Sequence, residues 1–270
     1  MKKYMIGSNK QVKLKDYSPE DTDGIAKEEI TDEYAYLHEE LIELQEVFYA
    51  SKKYGLLIVL QGMDCSGKDG TVKNALMGVN PSGFNVVSFK VPTPEELEHD
   101  YLWRIHNKMP GKGDITVFNR SYYEDVLVTR VHKMIDDDTA MRRFKEIKDF
   151  EKYLVHNNTV ILKFFLHISK EYQQKKLESR LENPNKNWKF SEDDLKERKY
   201  WDKYQECYED VLSNCSTNEV PWHIIPSNHR WFRDYIILKT ITSALKGLKL
   251  EYPRLESNVQ ILIQEVMDSK

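Results

Sequence analysis

Residues 55–71 read Gly55-Leu-Leu-Ile-Val-Leu-Gln-Gly62-Met-Asp64-Cys-Ser-Gly67-Lys68-Asp69-Gly70-Thr71: a strand running into a glycine-rich turn and then a helix. The apolar run 56–60 is continuous rather than alternating, which suits a strand covered on both faces, as in a parallel sheet. Gly62, Gly67 and Gly70 let backbone N–H groups turn inward around an anion, and a helix starting near Lys68 adds the positive end of its dipole there. Gly62, Gly67 and Lys68 satisfy G-x-x-x-x-G-K, the Walker A phosphate cradle, with one departure. Asp69 stands where a Ser or Thr hydroxyl would meet Mg²⁺. That carboxylate, with Asp64 close by, adds negative charge beside phosphates, so metal and further cations must offset it.

Working outward, four more strand-like runs appear at 85–89, 115–118, 160–167 and 222–225, separated by stretches long enough for crossover helices. This alternation predicts an α/β domain: a doubly wound five-stranded parallel P-loop sheet with helices on both faces. Helix starts are signposted by Thr93-Pro94-Glu95-Glu96, a capping box with Pro at the first helical position, and by the similar Ser191-Glu192-Asp193-Asp194. Residues 1–30 are polar and turn-rich and are expected to form an extended arm leading into an amphipathic helix over about 32–50. The kinase-like domain is expected over 31–250, with a helical lid at about 169–212 and a tail over 251–270.

With 270 residues and 40% hydrophobic content the chain can pack one sizeable core. The net charge of −4 argues against nucleic-acid binding by bulk attraction, so any polyanion needs a local cationic groove. Cys65, Cys207 and Cys215 form no C-x-x-C pair, which fits a reducing, cytoplasmic setting. The basic first ten residues are not followed by a signal-peptide core, and no run approaches the ~18 apolar residues of a membrane helix. No membrane partner is expected.

Three further clusters carry chemistry. Asn119-Arg120-Ser121-Tyr122-Tyr123-Glu124-Asp125 follows the third strand, so Asn119 and Arg120 should emerge beside the phosphate cradle at the sheet's carboxyl edge. The planar fork of Arg120 suits a phosphoryl group, against the plainer reading of a surface arginine paired with Glu124 or Asp125. Lys90, Thr93 and Arg104 lie where the second strand ends, the place for an acceptor nucleotide, although Trp103 is as well explained as core. Across 170–199, nine cations face seven acids, mostly an ordinary solvated surface. Within it, Lys176 and Arg180 share a helix face and can present two charges to one anionic chain. Trp201, Tyr204, Tyr208 and Val211 have helical spacing and read as core.

These residues resemble the polyphosphate kinase 2 family, whose fold is similar to that of thymidylate kinase. The resemblance rests on Gly62-Met-Asp64-Cys-Ser-Gly67-Lys68-Asp69-Gly70-Thr71, on Phe118-Asn119-Arg120-Ser121-Tyr-Tyr-Glu124-Asp125-Val, on Trp188-Lys189-Phe190 and on Pro221-Trp222-His-Ile-Ile-Pro226. It implies reversible phosphoryl transfer between inorganic polyphosphate and a nucleoside mono- or diphosphate, with Mg²⁺, or Mn²⁺ in its place, in a homodimer or homotetramer. Asn119, where many relatives carry Asp, resembles the subgroup accepting both AMP and ADP. Tyr172, Lys176 and Ser227-Asn228-His229-Arg230 depart from the family's carboxylate, arginine and acidic turn.

The expected catalytic set is therefore Asp64, Lys68, Arg120 and Arg130, with Asp64 and Asp69 on the metal. Polyphosphate is assigned to Gly67, Asp69, Gly70, Thr71, Lys73, Lys176 and Arg180. The nucleotide, adenine or guanine, is assigned to Lys90, Thr93, Arg104, Asn119 and Glu124. An acceptor phosphate is already ionised near neutral pH, so no general base is required, and Asn119 could not serve as one. The alternatives are an ATP-dependent nucleotide kinase of thymidylate-kinase type and a noncatalytic nucleotide- or polyphosphate-binding regulator.

Overall fold

The computed structural model describes residues 2–255 and 259–269. Five strands, β1 (Gly55–Gln61), β2 (Phe84–Ser88), β3 (Ile115–Asn119), β4 (Thr159–His167) and β5 (Trp222–Pro226), form one sheet in the order β2-β3-β1-β4-β5. Every pairing is parallel. The helices are α1 (Thr31–Ser51), α2 (Lys68–Ala75), α3 (Pro94–Leu97), α4 (Trp103–His106), α5 (Val128–Val131), α6 (Asp137–His156), α7 (Lys170–Glu182), α8 (Glu192–Arg198), α9 (Trp201–Asn214), α10 (Arg230–Gly247) and α11 (Val259–Asp268).

The unbroken apolar run of β1 is explained by its central position. Leu57 and Val59 enter one core, with Phe144 of α6 and Val211 of α9; Leu56, Ile58 and Leu60 enter the other, with Leu41 of α1 and Ile237 of α10. Each face of the strand needs apolar side chains, so no position is left for a polar one. Both expected helix starts are present: the Thr93 hydroxyl accepts from the Glu96 amide while the Glu96 carboxylate accepts from the Thr93 amide. Ser191 caps more simply, accepting from the Asp193 amide.

The N-terminal arm is packed rather than free. Ile6, Val12 and Leu14 are buried in the core that contains α9, and Met5 makes an antiparallel bridge to His223. The arm thereby covers the outer edge of β5, which would otherwise present unpaired backbone groups. Helix α9 buries Trp201, Cys207, Tyr208, Val211 and Leu212, as the helical spacing predicts. Within 169–212, the cationic overhang is thus α7, the turn Pro184–Lys189 and α8. Trp103 is a correction to the plainer sequence reading: it is 38% exposed and stacks on His99 at 4.1 Å. The expected tail 251–270 includes residues 256–258 and 270, which lie outside the described residues.

Candidate active site

The register of the sheet builds the site. Leu60 of β1 pairs with Asn119 of β3, and the Arg120 amide donates to the Leu60 carbonyl at 3.1 Å, so the two strands deliver the glycine turn and Asn119-Arg120 to one spot. Beyond them opens a cleft of about 550 Å³. It is lined by Asp64, Gly67, Lys68, Asp69 and Gly70 of the turn, by Lys90 after β2, by Asn119 and Arg120, and by Lys176 and Arg180 of α7.

Two cross-links set the geometry of its floor. Arg120 Nη2 donates to Asp64 Oδ1 at 2.8 Å, and Asn119 Nδ2 donates to Asp69 Oδ1 at 2.5 Å. Arg120 is therefore bound across the cleft to Asp64 rather than to Glu124 or Asp125. Burial works against the Arg120 charge, but Glu124 and Asp64 outweigh it and hold its pKa above the usual arginine value. Lys68 Nζ folds back onto the carbonyls of Gly62 at 2.6 Å and Met63 at 3.2 Å. Burial lowers its pKa, with Asp64 opposing. A phosphate group offers the same ammonium a stronger, charge-assisted partner.

Four residues that line the cleft were given no site role by the sequence reading. Arg230 and Arg233, three apart at the start of α10, line the cleft, as do Lys186 and Lys189 of the turn after α7. Arg233 is 1% exposed, donates from Nη1 to the Ser66 carbonyl at 3.1 Å, and is braced by Asp234, which also accepts from Asn74 of α2 at 2.8 Å. Their signal was position: α10 begins where β5 ends, on the sheet's carboxyl edge. With these, nine cationic side chains line the cleft against the carboxylates of Asp64 and Asp69. A chain carrying −4 overall thus concentrates positive charge in one place. The crowding shows on Lys176, whose pKa is lowered by burial and by Arg230 and Lys186.

Other expected residues stand elsewhere. Thr71 is buried inside α2, and Lys73 is exposed on that helix, outside the cleft lining. Arg130 is turned away: its guanidinium pairs with Asp137 and Asp210, both at 2.9 Å, and packs over Phe144. Thr93 is occupied in capping α3. Arg104 is 7% exposed, donates to the Lys90 carbonyl at 2.9 Å, and lines a second pocket with Asp125 and Arg143. Arg104 thus braces the backbone of Lys90 and does not line the cleft. Glu124 lies behind Arg120 and Lys68; burial raises its pKa, and those two cations offset part of the rise.

Helix α7 is tied to the glycine turn through the buried Gln173. Gln173 of α7, 2% exposed, donates to the Asp64 carbonyl at 3.0 Å and accepts from Arg198 of α8 at 2.7 Å. Arg180 pairs with Asp194 of α8 at 2.9 Å. Helices α7 and α8 are thus hydrogen-bonded to the glycine turn through Gln173.

What the sheet's carboxyl edge presents is a P-loop enzyme that transfers phosphoryl groups between anionic partners. Comparison with known proteins narrows the class. The sequence model of polyphosphate kinase 2 (PPK2) matches residues 24–253, and the chain belongs to that family. It is 43% identical over 267 residues to the AMP/ADP-polyphosphate phosphotransferase of Meiothermus ruber, an alignment covering 98% of this chain and 100% of that protein. It is 42% identical over 227 residues to the ADP-polyphosphate phosphotransferase of Rhodopseudomonas palustris, covering 80% of this chain and 78% of that one. The crystal structure of polyphosphate kinase 2 from Arthrobacter aurescens TC1 superposes with a TM-score of 0.93 at 38% identity, over 98% of this chain and 95% of that chain. The chain is accordingly a polyphosphate phosphotransferase. Among the described residues, no helix is long and apolar enough to cross a membrane.

Proposed function

We propose that the protein moves a phosphoryl group reversibly between inorganic polyphosphate and AMP or ADP, with GMP and GDP as further acceptors. The observation that carries this reading is the nine-cation cleft around the glycine cradle. A nucleotide donor of three phosphates needs fewer charges; a long phosphate chain extends from Lys68 past Arg233 and Arg230 to Lys176, Lys186 and Lys189. Lys90, at the end of β2, receives the acceptor's phosphate from the opposite side. With both partners already anionic, catalysis depends on alignment and on charge neutralisation at the transferred group, supplied by the cradle amides, Lys68 and Arg120.

The donor set fits Mg²⁺, with Mn²⁺ as a substitute. Asp64 and Asp69 both line the cleft on either side of Lys68, and among the described residues no group of three or more His, Cys, Asp or Glu side chains could hold a metal alone. Two carboxylates completed by substrate phosphates and water are the ordinary environment of Mg²⁺. When bound, the ion neutralises phosphate charge. The unpaired Cys65, Cys207 and Cys215 support a cytoplasmic setting. Helix α11 exposes Val259, Ile261, Ile263 and Val266, a surface that supports assembly into a homodimer or homotetramer.

The test is to incubate the protein with ADP, Mg²⁺ and polyphosphate and to follow ATP. Formation of ATP without any nucleotide donor is expected; a requirement for ATP as donor would replace this reading with a thymidylate-kinase-type one. Parallel assays with AMP, GMP and GDP define the acceptor range.

A further inference from the structure

Behind Arg120, on the core side of the sheet, lies a charged network outside the cleft lining. Lys163 of β4 and Glu151 of α6 form an ion pair at 2.7 Å with side chains 0% and 2% exposed. Both oxygens of Glu151 are occupied: Oε2 accepts from Lys163, and Oε1 accepts from the phenols of Tyr122 and Tyr123, each at 2.8 Å. All three Lys163 protons are placed as well, on Glu151, on the Tyr123 oxygen at 3.0 Å and on the Cys215 carbonyl at 2.7 Å. Burying such a pair seldom stabilises a fold more than well-packed apolar residues would, so its value here is sought in geometry.

The geometry leads to Arg120. Tyr122 and Tyr123 follow it by two and three residues, and Arg120 itself has φ 65°, a left-handed conformation that a non-glycine residue holds only when its surroundings over-determine it. On one side the Arg120 amide is fixed to Leu60. On the other, the Ser121 hydroxyl accepts from Gln61 Nε2 and from the Tyr123 amide, both at 3.2 Å, and the two phenols are locked onto Glu151. The chain is clamped before and after the arginine, which leaves the guanidinium aimed at Asp64.

We infer that Glu151 is a positioning residue for Arg120, acting through Tyr122 and Tyr123, with Lys163 fixing the carboxylate that receives both phenols. This rests on the reading of Arg120 as the residue that stabilises the transferring phosphoryl group.

The experiment uses Tyr122→Phe, Tyr123→Phe and the double variant, which keep ring volume but remove the donors to Glu151. Ile147→Val, one turn from Glu151 on α6 and fully buried, is the control for a purely structural loss. The double variant is expected to lose turnover by about a hundredfold through misplacement of the arginine, with KM for polyphosphate and nucleotide changed less than about twofold. Combining it with Arg120→Ala should then cost much less than Arg120→Ala costs in the unmodified enzyme, because the same contribution has already been lost. Should the double variant not fold, the single variants carry the same cycle. Additive losses, unchanged turnover, or an equal loss in Ile147→Val at matched thermal stability would overturn the inference. If Arg120→Ala alone left turnover intact, the role of Arg120 would fail instead.

Discussion

A Cβ placed on Gly67 would lie 1.8 Å from Arg233 Nη1. The guanidinium of α10 thus presses against the phosphate cradle at the position where the backbone has φ 97°. Gly67→Ala is expected to displace either Arg233 or the cradle and to pay a left-handed backbone strain of about 1–2 kcal/mol as well. Nucleotide-driven and polyphosphate-driven turnover should fall together by at least about a hundredfold, since the shared cradle is deformed. Steady-state kinetics with each substrate varied in turn checks this.

Arg120 should be far more costly to lose than Arg130. Arg120→Ala is expected to reduce kcat about a thousandfold, in line with arginines that neutralise a transferring phosphoryl group. Arg130, held by Asp137 and Asp210, should affect thermal stability more than kcat when replaced by Ala. Measuring kcat and Tm for both variants separates a chemical from a structural arginine.

Polyphosphate affinity should weaken steeply with salt, because each neutralised phosphate releases counterions. Lys186→Ala and Lys189→Ala should each lower the slope of log KM against log salt by roughly 0.7, the single-strand value carried over from nucleic acids. Substrate titrations at several salt concentrations provide the slopes, and a slope that the lysines do not alter would remove them from the binding path.

Stability should fall on acidification below neutrality. His167 and His223 are buried, and burial depresses each to about 4 from an ordinary 6.5. At His167 the hydrogen bond that Nε2 donates to the Tyr17 carbonyl at 3.0 Å favours the charged ring and offsets only part of the burial effect. Between pH 6.5 and 4 the unfolded chain therefore binds protons that the native state refuses. The stability present above pH 6.5 is lost as pH drops through that window, by up to about 3 kcal/mol per histidine. Tm measured from pH 7.5 to 4.5 should decline, and His167→Gln should flatten the decline.

The fold was legible because its signals are local. A continuous apolar strand, glycine spacing and capping residues at 93–96 each report on a few neighbouring residues, and the parallel sheet follows from them. Lys68, Asp64, Asn119 and Arg120 were equally readable, since strand ends define where side chains emerge. Arg130 was misplaced because sequence shows a cation near the site but not the two carboxylates that hold it away. Thr71 was misplaced because one helical turn carries a residue from the cleft to the buried face. Arg233 went unseen because its partner, Gly67, lies 166 residues earlier in the chain, and only the crossover to β5 and α10 brings them together.

The central claim is that the transferred phosphoryl group passes to an oxygen that is already ionised. Initial rates with polyphosphate and Mg²⁺, comparing ADP and AMP with adenosine as acceptors across pH 6 to 9, test it most directly. Rapid transfer to the nucleotides, none to adenosine, and no loss of rate with a base titrating in that range are expected. Phosphorylation of the adenosine hydroxyl at a comparable rate would contradict it.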